Sequence, residues 1–211
     1  MKRTLIILPI LALVALVPQG VKASELPKLD LFTDEIYLKE EVSKSRIPNI
    51  PAVLGASTDD SAPEVAKKLG TTYTSYFRDV SFKAPADWYV ADDYDDTSLY
   101  TYAVNDAMTA QISIERFDAG DATVSDLSAY VEVVCSKCGY KVTGKGTAKV
   151  GNKSGAYVEA SNGVTHLKYF ITVTDEVGYV IELLTPEEDW SSHKKIMEKS
   201  IKSLKIKTLS S

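Results

Sequence analysis

The most reactive side chains in this sequence are two cysteines in a Cys-x-x-Cys spacing, Cys135 and Cys138. In thioredoxin-like sites this spacing opens a helix, where the positive end of the helix dipole lowers the pKa of the attacking thiol. Here the pair falls at the end of a predicted helix, where the dipole opposes a thiolate. Because residues at i and i+3 of a helix end lie within bridging distance, we predict a local disulfide in an exported protein. A thiol redox protein is the alternative interpretation.

The two histidines, His166 and His193, belong to no motif that activates a nucleophile, and Gly-x-Ser-x-Gly is absent. A structural zinc ion needs four ligands, and both histidines would have to converge with both cysteines from separate elements. His166 fits one face of a predicted strand, and His193 fits the edge of an apolar helix stripe. We therefore predict no catalytic residue, no metal centre and no cofactor, and a protein that is not an enzyme.

An acidic run surrounds Tyr94 and consists of Asp92, Asp93, Asp95 and Asp96. Calcium favours turns that are rich in carboxylate oxygens. The run lacks the glycine and the distal glutamate of an EF-hand loop, so a solvated acidic turn is the simpler interpretation. A weak site for calcium or another ligand at these four aspartates is the alternative.

Tyrosines recur near this run, at Tyr89, Tyr94, Tyr100 and Tyr102. Exposed aromatic rings can form a platform that binds a ligand. Tyrosines at alternate positions of a strand more often form a half-buried sheet face, and we favour that interpretation.

The N-terminus has the three parts of a secretory signal peptide. A basic start precedes the apolar stretch 5–17, and a small-x-small-like cleavage site lies at 21–23. The apolar stretch is shorter than the roughly 20 residues of a transmembrane helix. We therefore predict a signal peptide over residues 1–23, a secreted or extracytoplasmic protein, and no membrane insertion after cleavage. A signal that is not cleaved would leave the protein tethered to the membrane.

The charge balance limits the partners. Removing residues 1–23 takes away Lys2, Arg3 and Lys22 and no acid, which changes the formal net charge from −5 to −8. An acidic protein has no electrostatic reason to bind a phosphate backbone, so we predict no nucleic-acid partner. The same sign disfavours direct adhesion to anionic lipid.

Residues 24–75 differ in composition from the rest. Half of the eight prolines fall here, and polar runs separate short apolar pieces. Because no core-forming period runs through this segment, we predict a low-order tether, followed by one domain over residues 76–207.

Within that domain, alternating apolar residues predict strands and an apolar stripe predicts each of two helices. Ser125 is the predicted cap of the first helix and Gly139 its end, while Thr185 and Glu188 form a predicted capping box for the second. Asn162-Gly163 is the strongest hairpin signal, because a type I′ turn needs positive φ at both positions. The predicted strands are 80–84, 97–104, 108–117, 140–150, 155–161, 164–174 and 177–184.

The order of strands, helix, four-strand meander and helix predicts an α+β fold, in which an antiparallel sheet is sandwiched with two main helices. The segment 77–88 resembles the opening strand and turn of PsbP-like proteins, an aromatic-rich strand followed by proline and tryptophan. The end of the chain is also similar to that family, with a long strand and a Trp-bearing helix that closes on 200–204. The resemblance covers roughly residues 76–206. It implies a non-catalytic domain that docks onto other proteins, in the photosynthetic members onto the lumenal face of photosystem II.

Three classes of function follow. The first is an exported, non-catalytic PsbP-like docking domain that contacts a protein partner at the cell envelope. The second is an extracytoplasmic ligand or calcium binder that uses the acidic run. The third is a thiol redox protein that uses the cysteine pair. We favour the first, because it requires no motif that the sequence lacks.

Overall fold

The computed structural model describes residues 65–94 and 98–207. The predicted signal peptide and residues 24–64 of the predicted tether lie outside the described residues. In chain order the elements are β1 (Leu69–Thr74), β2 (Val80–Pro85), β3 (Tyr89–Tyr94), β4 (Ser98–Val104), β5 (Gln111–Asp118), α1 (Val124–Lys137), β6 (Lys141–Val150), β7 (Lys153–Ser161), β8 (Thr165–Thr174), β9 (Val177–Pro186), a 3₁₀ turn (Glu187–Asp189), α2 (Trp190–Lys202) and β10 (Lys205–Ile206).

Seven of these strands form one antiparallel sheet in the order β3-β4-β5-β9-β8-β7-β6. The strands β6 to β9 pair consecutively, so the predicted four-strand meander is confirmed. A second, three-stranded sheet has the order β1-β2-β10. The prediction of an α+β fold with an antiparallel sheet and two main helices is confirmed. In the part of the chain that the structure describes, no helix is long and apolar enough to span a membrane.

Strand β9 shows how the large sheet separates two cores. Tyr179, Ile181 and Leu183 contribute to a core shared with α2 and the small sheet. Val180 and Leu184, which alternate with them, contribute to a core shared with α1. Because successive side chains of a strand point to opposite faces, α1 and α2 cover opposite faces of the seven-stranded sheet.

The two-residue turn with positive φ at both positions, predicted at Asn162-Gly163, lies at a different connection of the meander. At Asn162-Gly163 only the glycine has positive φ, 82°. The connection also includes Val164. The side-chain oxygen of Asn162 accepts hydrogen bonds from the backbone N–H groups of Val164 and Thr165. The two-residue turn with positive φ at both positions joins β8 to β9 instead. It consists of Asp175 and Glu176, with φ of 51° and 64°. The prediction of a hairpin at Asn162 is confirmed, but the predicted turn type is wrong.

The predicted helix starts also need correction. Thr123, not Ser125, caps α1, and Asp126 completes a capping box with it. Thr185 does not cap α2, because β9 continues through this residue and α2 begins only at Trp190. Gly139 follows the end of α1 with φ of 78°, as its position predicted.

The ordered domain also begins earlier than predicted. Strand β1 pairs with β2, and Leu69 and Tyr73 pack against the core beneath α2, together with Val65 and Ala66. Residues 65–75 are therefore part of the fold and not of a tether. Strands β3 and β10 were likewise not predicted, because β3 contains the acidic run and β10 has only two residues.

Candidate functional site

The turn between β1 and β2 displays two aromatic side chains to solvent. Tyr76 is 79% exposed and Phe77 is 51% exposed. Their rings meet edge to face, with centroids 5.1 Å apart and an angle of 86° between planes. Aromatic side chains gain most from burial, so a contiguous exposed pair marks a candidate contact surface. We call Tyr76 and Phe77 the aromatic turn.

Hydrogen bonds fix the backbone of this turn. The Ser75 N–H donates to the Val80 carbonyl at 2.9 Å, and the Arg78 N–H donates to the Ser75 carbonyl at 2.9 Å. The Ser75 hydroxyl accepts the Val80 N–H at 3.3 Å and donates to Asp79 Oδ1 at 2.9 Å. Arg78 has a φ of 60°, which the surrounding bonds must hold against its steric cost.

Asp79 anchors the turn to the large sheet. Its side chain is fully buried, and Oδ2 lies 3.1 Å from Arg116 Nε on β5. The Tyr179 hydroxyl on β9 donates to the same oxygen at 3.5 Å. Burial raises the pKa of Tyr179 to about 12, and the negative charge of Asp79 adds to the effect. A buried carboxylate requires such partners, so Asp79 ties the turn to two further strands.

A second aspartate ties the turn to the sheet edge. Asp92 Oδ2 accepts the Tyr76 N–H at 2.7 Å, and Oδ1 accepts the Thr101 hydroxyl at 2.5 Å. Burial raises the pKa of Tyr73 to about 12, and a hydrogen bond to Asp92 contributes. Both carboxylate oxygens of Asp92 therefore accept hydrogen bonds from within the domain.

This arrangement changes the interpretation of the acidic run. Asp92 and Asp93 lie in β3 and not in a loop, and their side chains point to opposite faces of the strand. Asp95 and Asp96 lie outside the described residues. Within 65–94 and 98–207 no three metal-ligating side chains come together. The structure does not bring Asp92 and Asp93 together as a pair of calcium ligands.

The predicted disulfide is absent. Cys135 and Cys138 both carry free thiols; Cys135 is buried and Cys138 is exposed. Cys135 packs in the core beneath α1, whereas Cys138 is the C-cap residue, so the two side chains point into different surroundings. Burial raises the pKa of Cys135 to about 12, and the charge of Glu182 adds to this effect. The pair lies at the C-terminal end of α1 and not at its N-terminal end, so neither thiol has the position of a redox nucleophile.

His166 lies between two carboxylates on the face of the large sheet that α2 covers. Its Nε2 is 3.0 Å from Glu159 Oε1, and its Nδ1 is 3.2 Å from Glu187 Oε2. The imidazole stacks on Trp190, with ring centroids 4.1 Å apart and an interplanar angle of 15°. The Ser161 hydroxyl also donates to Glu187.

Lysines balance this cluster. Lys168 Nζ lies 3.1 Å from Glu159 and 2.8 Å from Glu198. Burial alone lowers the pKa of Lys168, but its bonds to these two carboxylates outweigh burial and raise it. Burial alone raises the pKa of Glu159, but the bond from Lys168 and the bond from His166 lower it. The cluster is a closed network of paired charges, and among the described side chains no buried polar atom lacks a hydrogen-bond partner.

His193 and the tyrosines have mainly structural positions. His193 is buried on the inner side of α2, with Nδ1 3.1 Å from the Asp189 carbonyl oxygen. Tyr100 is buried, whereas Tyr89 is 51% exposed and its ring centroid lies 6.3 Å from that of Tyr102. The side chain of Tyr94 lies outside the described residues. The tyrosines thus form a partly buried sheet face, as favoured.

Sequence reasoning missed three buried acids, Asp79, Glu115 and Glu182. Asp79 precedes a strand and resembles an ordinary turn residue, while its partners Arg116 and Tyr179 lie far along the chain. Glu182 is buried in β9, where it accepts a hydrogen bond from the Tyr169 hydroxyl. A single acid among Val180, Ile181, Leu183 and Leu184 was the available signal for Glu182.

Comparison with solved structures bears on the architecture of the domain. No protein-family model matches the chain, and no curated protein sequence matches it. The chain is similar to the solution structure of cyanobacterial PsbP (CyanoP) from Synechocystis sp. PCC 6803, with a TM-score of 0.51 and 13% identity, over 72% of this chain and 100% of that chain. It also matches the crystal structure of LpqN, involved in cell envelope biogenesis of Mycobacterium tuberculosis, with a TM-score of 0.40 and 12% identity, over 70% of this chain and 90% of that chain. At such low identity the similarity to CyanoP shows the fold alone. The resemblance noted in the sequence is confirmed at that level: this chain has a PsbP-like fold.

Proposed function

We propose that this chain is an exported, non-catalytic binding domain that docks onto a protein partner at the extracytoplasmic side of a membrane. The observation that carries the proposal is the aromatic turn, where Tyr76 and Phe77 are exposed on a backbone held by Asp79 and Asp92. The predicted signal peptide supports the location, and the PsbP-like fold supports a docking role.

A rigid aromatic turn is a good contact surface for two reasons. Aromatic side chains supply a large share of the binding free energy at protein interfaces, because they bury much area with few rotatable bonds. A turn that is already ordered also loses little conformational freedom on binding. The hydrogen bonds of Ser75 and Asp79 provide this order before any partner arrives.

The surroundings of the turn suggest the chemistry of the partner. Asp92 behind Tyr76 is occupied by two hydrogen bonds within the domain, whereas Arg78, which follows Phe77, is exposed. An apolar pocket with an acidic group at its edge would complement both the aromatic rings and Arg78. We therefore expect a protein surface of that kind.

The remaining chemistry of the chain fits a binding role better than catalysis. The charged groups around His166 are paired with one another. The Cys135 thiol is buried with its pKa raised to about 12, which opposes the thiol redox alternative.

Site-specific photo-crosslinking in the native envelope tests the proposal. A photoreactive residue at position 77 should capture one defined protein, and the same residue at position 164 should not. Val164 is the matched control, because it is 70% exposed on a different loop. Phe77→Ala should abolish capture from a photoreactive residue at position 76, while Val164→Ala should leave it unchanged. Equal capture from positions 77 and 164, or none from 77, would contradict the proposal. Intact mass of the exported protein should show the loss of residues 1–23 if the signal peptide is cleaved.

A further inference from the structure

One face of the domain carries exposed lysines without acidic neighbours. We call this set the lysine face; its members are Lys83, Lys195, Lys199, Lys202, Lys205 and Lys207. None of these six lysines forms an ion pair with another residue in the ranges 65–94 and 98–207.

Helix α2 provides half of this face. Lys195, Lys199 and Lys202 follow the i, i+4, i+7 spacing that places side chains on one side of a helix. Ile196 and Met197 are buried on the opposite side, in the core beneath α2. The three lysines therefore point away from the protein.

The small sheet provides the other half and adjoins the helix. The Lys83 N–H donates to the Ser203 hydroxyl at 2.8 Å, and the Ser200 hydroxyl donates to the Lys83 carbonyl at 2.6 Å. In the antiparallel register of β10 and β2, Lys205 lies opposite Ser81, the residue two positions before Lys83. Since α2 and the small sheet lie side by side over the large sheet, their outer surfaces form one continuous face.

Acidic groups are few on this face. Between Trp190 and Lys207 the only acid is Glu198. Its carboxylate lies 2.8 Å from Lys168 Nζ, which belongs to the large sheet. The charge of Glu198 is therefore compensated by Lys168 and does not neutralise the exposed lysines.

We propose that the lysine face rests on a lipid bilayer that contains anionic headgroups. From Ser191 to Lys207 the sequence holds no arginine and no aromatic residue, whereas protein interfaces are depleted in lysine and enriched in both of these. Mobile lysines attract a diffuse layer of phosphate groups without fixed geometry. This inference goes beyond the protein contact of the aromatic turn and uses a different surface.

The acidic net charge of the chain does not prevent this contact. At physiological ionic strength charges are screened over about 8 Å. The electrostatic interaction of the lysine face with a bilayer beneath it therefore comes mainly from the lysines. The net charge therefore misleads as a guide to lipid adhesion, because the lysines are concentrated on one side of the domain.

Vesicle sedimentation with the exported full chain tests the inference. We expect binding to phosphatidylcholine vesicles with about one third phosphatidylglycerol, little binding to pure phosphatidylcholine, and release by high salt. The triple substitution Lys195→Gln, Lys199→Gln and Lys202→Gln should weaken vesicle binding at least about tenfold. Thermal unfolding should confirm that this variant remains folded.

A charge-matched control separates the lysine face from net charge. Lys141→Gln, Lys145→Gln and Lys149→Gln change the same number of exposed lysines on the edge strand β6, of which Lys145 lies 2.9 Å from Glu132, and should leave vesicle binding nearly unchanged. Phe77→Ala should also leave it unchanged, which distinguishes this inference from the proposed protein contact. Absent or salt-independent binding of the unmodified chain would overturn the inference, as would equal weakening by both triple substitutions. An α2 triple variant that loses a protein crosslink while the unmodified chain binds no vesicles would identify an acidic protein as the partner instead.

Discussion

Glu182 on β9 accepts a hydrogen bond from the Tyr169 hydroxyl on β8, with 2.7 Å between the oxygens, inside the core that α1 covers. Glu182 is buried, and burial raises the pKa of its carboxyl from 4.5 to about 7, although the bond from Tyr169 lowers it in part. The pKa of Tyr169 is raised well above its usual range, by burial first and by the charge of Glu182 second. The core beneath α1 therefore favours the neutral form of both side chains.

The first prediction is a decrease in stability with rising pH. Because the folded state holds the Glu182 proton more tightly than the unfolded chain, the free energy of unfolding should fall between about pH 4.5 and pH 7. It should level off above that range. The shift corresponds to a change of about 3 kcal/mol.

Glu182→Gln should remove most of this pH dependence and stabilise the protein at pH 8, because glutamine is neutral and can still accept from Tyr169. Urea unfolding at pH 5 and pH 8 measures both effects. Glu176→Gln, in the exposed turn between β8 and β9, is the control and should leave the pH profile unchanged. An identical pH profile for the Glu182→Gln variant and the unmodified chain would show that Glu182 is not the titrating group.

A second prediction concerns Asp79, whose carboxylate is paired with Arg116 in the interior. Asp79→Ala should lower the free energy of unfolding by about 3 kcal/mol, because it leaves Arg116 and the Ser75 hydroxyl without their partner. Asp79→Asn should lower it less, since the amide keeps an acceptor oxygen. Chemical denaturation measures the difference, with Asp121→Asn as an exposed control. A loss below about 1 kcal/mol for Asp79→Ala would mean that the turn does not depend on this anchor.

The sequence was informative where a pattern is local. Strands 164–174 and 177–184 consist mainly of apolar residues and are joined by a two-residue connection, so their pairing and the meander could be predicted. The caps and turn types were less well predicted. Thr123 and Ser125 are both good capping residues, and the local signal that separates them is Asp126, which forms a capping box with Thr123 and not with Ser125. Asp175-Glu176 adopts the tight turn through tertiary context, although Asn162-Gly163 has the better local propensity.

The candidate site was less predictable for a related reason. Asp79 and Glu182 have ordinary sequence surroundings, and their roles depend on Arg116 and Tyr169, which the fold brings close from distant positions. Phe77 belongs to the segment 77–88 that resembles the family, and Tyr76 precedes it, but nothing in a single sequence separates exposed aromatic residues from core residues. Only the register of β1 and β2 places them at a turn.

A third prediction compares two glycines that both have positive φ but differ in the space available for an added side chain. Gly151 has a φ of 59°, and an added Cβ would lie 2.1 Å from the Leu204 carbonyl oxygen. Gly163 has a φ of 82° with nothing within 4 Å. Gly163→Ala should therefore lower the free energy of unfolding by about 1 kcal/mol from backbone strain alone, and Gly151→Ala should lower it clearly more.

Thermal unfolding of the two glycine variants makes the comparison direct. The larger loss at Gly151 should include detachment of β10, because Asn152 accepts the Ile206 N–H at 2.9 Å and its side-chain amide donates to the Ile206 carbonyl. Equal losses at the two glycines would show that the close approach of Leu204 is not rigid.

A fourth prediction concerns the start of the domain. A chain that begins at Thr72 loses the first half of β1, including Leu69, which packs on the core beneath α2. Its free energy of unfolding should be lower by at least about 2 kcal/mol than that of a chain beginning at Pro63. Circular dichroism melting compares the two. Equal melting temperatures would support the sequence-based boundary near residue 75 and contradict the packing role of β1.

The last prediction concerns the cysteines, whose surroundings differ although they are three residues apart. Cys138 is exposed at the end of α1, whereas Cys135 is buried and its pKa is raised to about 12. In the native protein an alkylating reagent at neutral pH should therefore modify Cys138 and leave Cys135 intact, because only the thiolate reacts and only one thiol is accessible. In urea both should react, which makes the unfolded chain its own control. Intact mass measures the number of labels, and Cys138→Ser should give no native label at all. Rapid native labelling of Cys135 would show that α1 opens readily from the sheet, and a protein without free thiols would show that the two sulfurs meet after a rearrangement of the helix end.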